Sequence, residues 1–268
     1  MGKDKRHKRK MNFGRLLALA LLVLVGFGLL HLCTNTVPSV QSNPWEVGSV
    51  GEIPAPKGYT RMEAPKGSYA AYLRSLPLKS KGSRVQLYTG GDARLQFLSA
   101  AVIDLPLLSN YEQCADATMR IRAEYFYQKG RYGSICFTDV NGNKLRYQGG
   151  SNRKAFENYM RKVYGVCSTF SLYRETKPCA IADVRPGDVL VYPAREGRKY
   201  GHAVLVVDVA RNKKGRVAVM CAEGNTPARE LHVIRNQSRH NPWFILNEGD
   251  QDIWISVFRF NKEELRRY

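Results

Sequence analysis

Five short runs rich in Val and Ile crowd the chain after residue 183, and they limit its possible folds more than any other feature. They read "PGDVLVY" (186–192), "HAVLVVDVA" (202–210), "RVAVMCAE" (216–223), "ELHVIRN" (230–236) and "DIWISVFRF" (252–260). Each is bounded by turn residues and is too short for an ordinary helix, so they read as strands, with residues 212–215 as a hairpin connection. The first half is different. "SYAAYLRSL" (68–76) reads as a short amphipathic helix, "RVQLYTG" (84–90) alternates as a strand, and "FLSAAVIDL" (97–105) reads as a buried strand. In "SNYEQCADATMRIRAEYFYQKG" (109–130), Ala115, Met119, Ala123 and Phe126 make one apolar face, Asp116, Arg120 and Glu124 make i,i+4 pairs on another, and Gly130 is placed to end the helix. Cys114 therefore falls at the start of a helix. A second helix is predicted at 152–165, with Phe156, Tyr159, Met160 and Val163 on its apolar side. Helices first and an antiparallel sheet afterwards define an α+β class.

At 268 residues the chain is long enough for one sizeable domain with a real core. Its formal net charge is +19, but the first fifteen residues, "MGKDKRHKRKMNFGR", supply +6 of that and leave +13 spread thinly. No arginine stripe interleaved with aromatics and no helix-turn-helix or zinc-finger spacing accompanies the charge, so no nucleic-acid partner is expected. An acidic envelope surface or anionic headgroups suit it better. The basic head (1–15) runs into "LLALALLVLVGFGLL", and the segment 16–33 reads as a single transmembrane anchor or signal segment. Positive charge before the apolar run keeps the head cytoplasmic. The rest is then expected on the periplasmic side of a cell inner membrane. An uncleaved anchor is the preferred reading; Leu32 and His31 argue against lipidation of Cys33. Residues 34–57 read as a linker, and the exported domain is assigned to 58–268, with its first folded residues near Ile53.

Five cysteines remain beyond Cys33, at 114, 136, 167, 179 and 221, with no C-x-x-C and no Cys/His cluster. No structural zinc or other cofactor is implied. An odd thiol in an exported protein is either buried and inert or used. A thiol becomes a nucleophile through a lowered pKa and a base that takes its proton. A helix N-terminus favours the thiolate, and Cys114 is the cysteine placed there. His202 follows Gly201 and opens the most apolar strand. His232 alternates within a strand, as a surface or structural histidine would, and His240 sits in a loop. The 212–215 connection lays the strand ending in Glu223 beside the His202 strand, so either Glu223 or Asn225 can orient the imidazole.

Gln113 and Cys114 at a helix start, then "RPGDVLVY", "GHAVLVVDV" and "AEGN", resemble the cysteine, histidine-dependent amidohydrolase/peptidase (CHAP) domains, relatives of the NlpC-type hydrolases within the papain-like fold. The resemblance implies a papain-like domain with Cys114 as nucleophile, His202 as base, Glu223 or Asn225 as orienting residue and Gln113 as an oxyanion donor. It also implies a peptidoglycan or other envelope glycopeptide substrate. The chain reads "ADAT" where that pattern carries aromatics after the cysteine, and Cys167, closer in sequence to His202, is the competing nucleophile. Over most of its length the chain also resembles the bacterial domain-of-unknown-function family 4846, which implies an envelope setting. The alternative to an enzyme is an inactive domain of the same fold that binds glycan or a protein partner.

Overall fold

The computed structural model describes residues 46–268 apart from residue 240. The basic head, the apolar segment with Cys33 and the linker up to residue 45 lie outside the described residues, and among those described no helix is long and apolar enough to cross a membrane. The elements in chain order are β1 (Tyr59–Arg61), α1 (Tyr69–Arg74), β2 (Ser99–Val102), α2 (Cys114–Gln128), β3 (Cys136–Thr138), β4 (Lys144–Arg146), α3 (Arg153–Val166) and α4 (Thr169–Glu175). They continue with β5 (Lys177–Pro178), β6 (Val189–Tyr192), β7 (His202–Asn212), β8 (Val217–Glu223), β9 (His232–Ile234), β10 (Trp243–Leu246), β11 (Asp252–Ile255), β12 (Phe258–Asn261) and β13 (Leu265–Arg267).

This is a mixed helix and sheet protein built on one large antiparallel sheet. Its strands run in the order β2-β9-β8-β7-β6-β13-β5, with β1 added along β7 and β10 along β8. Strand β7 is the spine. Ala203, Leu205 and Val207 point into a core shared with the helices, while Val204 and Val206 point into a second core with Phe244, Ile253 and Phe260. Both faces are covered, which is why the sequence of β7 is nearly continuous in apolar residues rather than alternating. A register shift between Val206 and Asp208 resets the alternation, so that Val209 faces the second core and Ala210 the first. At the shift, fully buried Asp208 is held by Arg61 and Arg74, each at 2.7 Å.

The helical faces read from periodicity are those that enter the core: Ala115, Met119, Ala123 and Phe126 of α2, with Phe156, Met160 and Val163 of α3. The opposite side of α2 is buried as well. Arg120 reaches back to Glu112 at 2.8 Å and to the Pro106 carbonyl at 2.7 Å rather than pairing with Asp116, while Arg153 closes on Glu124 at 2.7 Å. Such a network adds little net stability, but losing one member strands a buried charge.

Three expectations are corrected here. Residues 50–53 are not linker: Val50 and Ile53 are fully buried in the helix-side core, and the Val50 amide donates to the Leu76 carbonyl. The Pro, Ser and Gly around them signal turns, not solvent exposure. Residues 84–90 make only isolated bridges, Gln86 to Asp92 and Leu87 to Arg229, because the chain folds back at Gly90 and Gly91. Residues 252–260 are two strands, β11 and β12, turning at Ser256 in the left-handed region, and their hairpin pairs with itself outside the large sheet.

Candidate active site

Cys114 is the first residue of α2, and Gln113 is its N-cap. The helix start is brought hard against the end of β8 because residue 224 is glycine: a Cβ there would lie 3.0 Å from the Ala117 methyl and 3.3 Å from the Gln113 carbonyl. Gly201 performs the same service at the start of β7. A Cβ on it would meet the Thr169 hydroxyl at 2.1 Å and the Tyr192 carbonyl at 2.8 Å. The two glycines flanking His202 and Glu223 in "GHAV" and "AEGN" therefore exist for close approach.

His202 and Glu223 share the face of the sheet opposite the helices, since their neighbours Ala203 and Ala222 both enter the helix-side core. Their side chains meet, His202 Nε2 to Glu223 Oε2 at 2.7 Å, both buried. Cys114 is near enough to the ring for its thiol to favour charge on the imidazole. Phe258 stacks on the imidazole with centroids 3.8 Å apart and an interplanar angle of 22°. The ring is thus held on one face by Phe258 and at Nε2 by Glu223.

Burial opposes charge on His202, but the bonds to Cys114 and Glu223, with their fields, outweigh it and push the imidazole up to about 9. Burial likewise opposes ionisation of Glu223, and the two histidines on it prevail, holding its carboxyl well below the usual carboxylate range. The second histidine is His232. Its Nε2 lies 3.5 Å from Glu223 Oε1, and its Nδ1 lies 3.1 Å from the Glu230 carbonyl. Sequence reasoning read it as a bystander; the signal available was its register, because β9 pairs His232 directly with Glu223.

Of the two residues put forward to orient the ring, Glu223 does so. Asn225 turns its side-chain oxygen to the Thr226 amide at 2.7 Å. Gln113 stands beside Cys114 with its Oε1 accepting from the Thr226 hydroxyl at 2.9 Å, and its backbone amide donates to Asp116 at 3.1 Å. Asp116 does not oppose a thiolate at neutral pH, because burial and the nearby Glu112 charge push its carboxyl up to about 8.

All five described cysteines are free. Burial and neighbouring carboxylates push Cys167 and Cys179 up to about 12, and complete burial with Glu223 nearby pushes Cys221 up further. Cys167, the competing nucleophile, donates to the Thr138 carbonyl at 3.5 Å. Cys114 is the thiol with a base.

Two clefts flank this constellation. One, of about 280 Å³, is lined by Cys114, Gln113, Asp116, Tyr164, Cys167 and Tyr200. The other, of about 250 Å³, opens on the opposite side beside Glu223, His232 and Phe258. Thr226 lines both. Among the described residues no group of three or more His, Cys, Asp or Glu is arranged to hold a metal ion.

A thiol, an imidazole and a carboxylate are groups that nucleophilic acyl transfer can use. The family model for Domain of unknown function (4846) matches residues 51–152 and 148–267, and the chain belongs to that family. No curated protein and no solved structure matches it.

Proposed function

We propose that this protein is a cysteine amidohydrolase or peptidase of papain-like architecture, tethered to the inner membrane by residues 16–33 and working on the extracytoplasmic side. The observation that carries the reading is the buried set Cys114, His202 and Glu223, with Nε2 of the imidazole held by Glu223 at 2.7 Å and Cys114 beside the ring at a helix start. Sulfur attacks the amide carbonyl, and His202 takes the thiol proton at Nδ1 and delivers it to the departing amine, leaving a Cys114 thioester. Water, deprotonated by the same nitrogen, then releases the acid and restores the thiol. The Cys114 amide at the exposed helix start, joined by the Gln113 side-chain amide, would receive the oxyanion. Peptide crosslinks of peptidoglycan, or the amide joining peptide to sugar, are the proposed substrates; a basic surface suits an anionic wall.

The test is iodoacetamide labelling of the full-length chain in detergent across pH 5 to 9, comparing wild type with Cys114→Ser and His202→Ala. Labelling at pH 6 is expected to vanish at residue 114 in the first variant and to fall roughly a hundredfold in the second. Slow labelling in wild type, insensitive to His202, would leave an inactive binding domain as the function.

A further inference from the structure

The cleft on the Glu223 side carries charge that the acyl-transfer chemistry does not use. Arg94 and Arg229 stand in its wall with Ser99, His232 and Phe258. The Arg229 guanidinium is met only by long contacts to carbonyls: Pro227 at 3.4 Å, Arg94 at 3.4 Å and Thr226 at 3.3 Å. Among the described residues it has no carboxylate hydrogen-bonded to it, and the Arg94 side chain makes no hydrogen bond or ion pair. Ser99, almost wholly buried in β2, has a hydroxyl with no hydrogen-bond partner. The one acidic group in the wall, Glu223, is already engaged by two histidines. The cavity is therefore net positive and has an unsatisfied buried hydroxyl; Gln96, Asn225 and Thr226 add polar groups, and Leu95, Leu98, Val257 and Phe258 form an apolar part of the wall.

A guanidinium matches a carboxylate in plane and in donor spacing, and the apolar part of the wall suits a short aliphatic stem. We infer that this cleft, which shares Thr226 with the cleft lined by Cys114, is a subsite for a carboxylate-bearing residue of the substrate, so that the substrates are acidic peptides. Arg229 and Arg94 receive the carboxylate and Ser99 donates to it. This rests on the reading of Cys114, His202 and Glu223 as an acyl-transfer site, and it adds a preference that the catalytic groups cannot supply. The carboxylate can be a glutamyl side chain or a free C-terminus; the chemistry of the cleft is the same for both.

Binding of three peptides to the full-length Cys114→Ser chain in detergent, measured by calorimetry, separates these sources. They are N-acetyl-Ala-Glu-amide with only a side-chain carboxylate, N-acetyl-Ala-Gln with only a terminal one, and N-acetyl-Ala-Gln-amide with neither. At least one acidic peptide is expected to bind about tenfold or more tighter than the neutral one. That preference should shrink with added salt, disappear in Arg229→Gln and weaken in Arg94→Gln and Ser99→Ala, with Arg229→Lys retaining part of it. Arg229 also braces its own loop, so the Arg94 and Ser99 variants keep the test sound should Arg229→Gln misfold. Equal affinity for all three peptides, no binding of any, or a preference that survives the arginine and serine changes overturns the subsite. His202-dependent labelling of Cys114 without carboxylate preference sinks the subsite alone; the preference without such labelling sinks the catalytic reading alone.

Discussion

Cys114 and Cys167 are equally buried, each 8% exposed, and they line the same cleft. Their surroundings are opposite. Cys114 begins α2, beside His202. Cys167 follows the last residue of α3, where burial, Glu175 and Asp139 oppose a thiolate and the thiol donates to a backbone carbonyl. Solvent access does not separate the two cysteines; the end of the helix and the nearby charged groups do.

The harshest way to break this contrast is substitution of each thiol in turn. Cys114→Ala is expected to abolish rapid labelling and any amide hydrolysis, a loss of at least about a thousandfold, whereas Cys167→Ala should change either rate by less than about threefold. A fast reaction that follows Cys167 would invert the assignment.

Glu223→Gln asks how much of the contrast the orienting carboxylate supplies. Labelling at pH 6 should fall about tenfold, and urea unfolding at that pH should show a loss of roughly 3 kcal/mol, because His202 loses its buried counter-charge. The pH dependence has a definite sign. The depressed Glu223 value contributes stability above the ordinary carboxylate range that is lost as pH falls through the folded value. The raised His202 value contributes stability that is complete below its ordinary value and lost as pH rises toward about 9. The glutamine variant should flatten both limbs of a stability profile. Persistence of both limbs would show that the pair is not their source.

The smallest effect is expected at Asp116, whose carboxyl is kept protonated by burial. A raised carboxyl favours folding at low pH and weakens it as pH rises toward about 8. Asp116→Asn should therefore gain on the order of 2 kcal/mol at pH 8 relative to wild type and little at pH 4. It also removes one of the charges that hold Cys167 up, so the labelling difference between the two cysteines should narrow slightly above pH 8. Equal gains at both pH values would mean that the Asp116 carboxyl titrates normally.

The parts of this arrangement that were legible in the sequence are those with local causes. The start of α2 follows from the apolar spacing after Cys114, and the pairing of β7 with β8 follows from the tight connection at 212–215, where Asn212 caps the Lys214 and Arg216 amides. Glu223 and Asn225 are not separable in the sequence, because residues two apart share a face if a strand continues; β8 ends at Glu223 and Asn225 turns to its own loop. His232 was missed for a different reason: its role arises from a neighbouring strand, not from its own alternation. The placement of β13 between β6 and β5 was equally silent, since a three-residue strand leaves no periodic trace. Burial of Arg120 and Glu124 against Glu112, with partly exposed Arg153 closing on Glu124, does not follow from their i,i+4 spacing, because charge spacing alone does not reveal what packs over a helix face.

The insertion of β13 between β6 and β5, together with the seat of Phe258 on the imidazole, carries a consequence in time. Cys114, His202 and Glu223 all leave the ribosome well before residues 258–267. Until those residues arrive, β6 lacks one neighbour and the His202 ring lacks its cover. A chain caught partway through synthesis therefore holds Cys114, His202 and Glu223 before the strand and the aromatic ring that complete their surroundings.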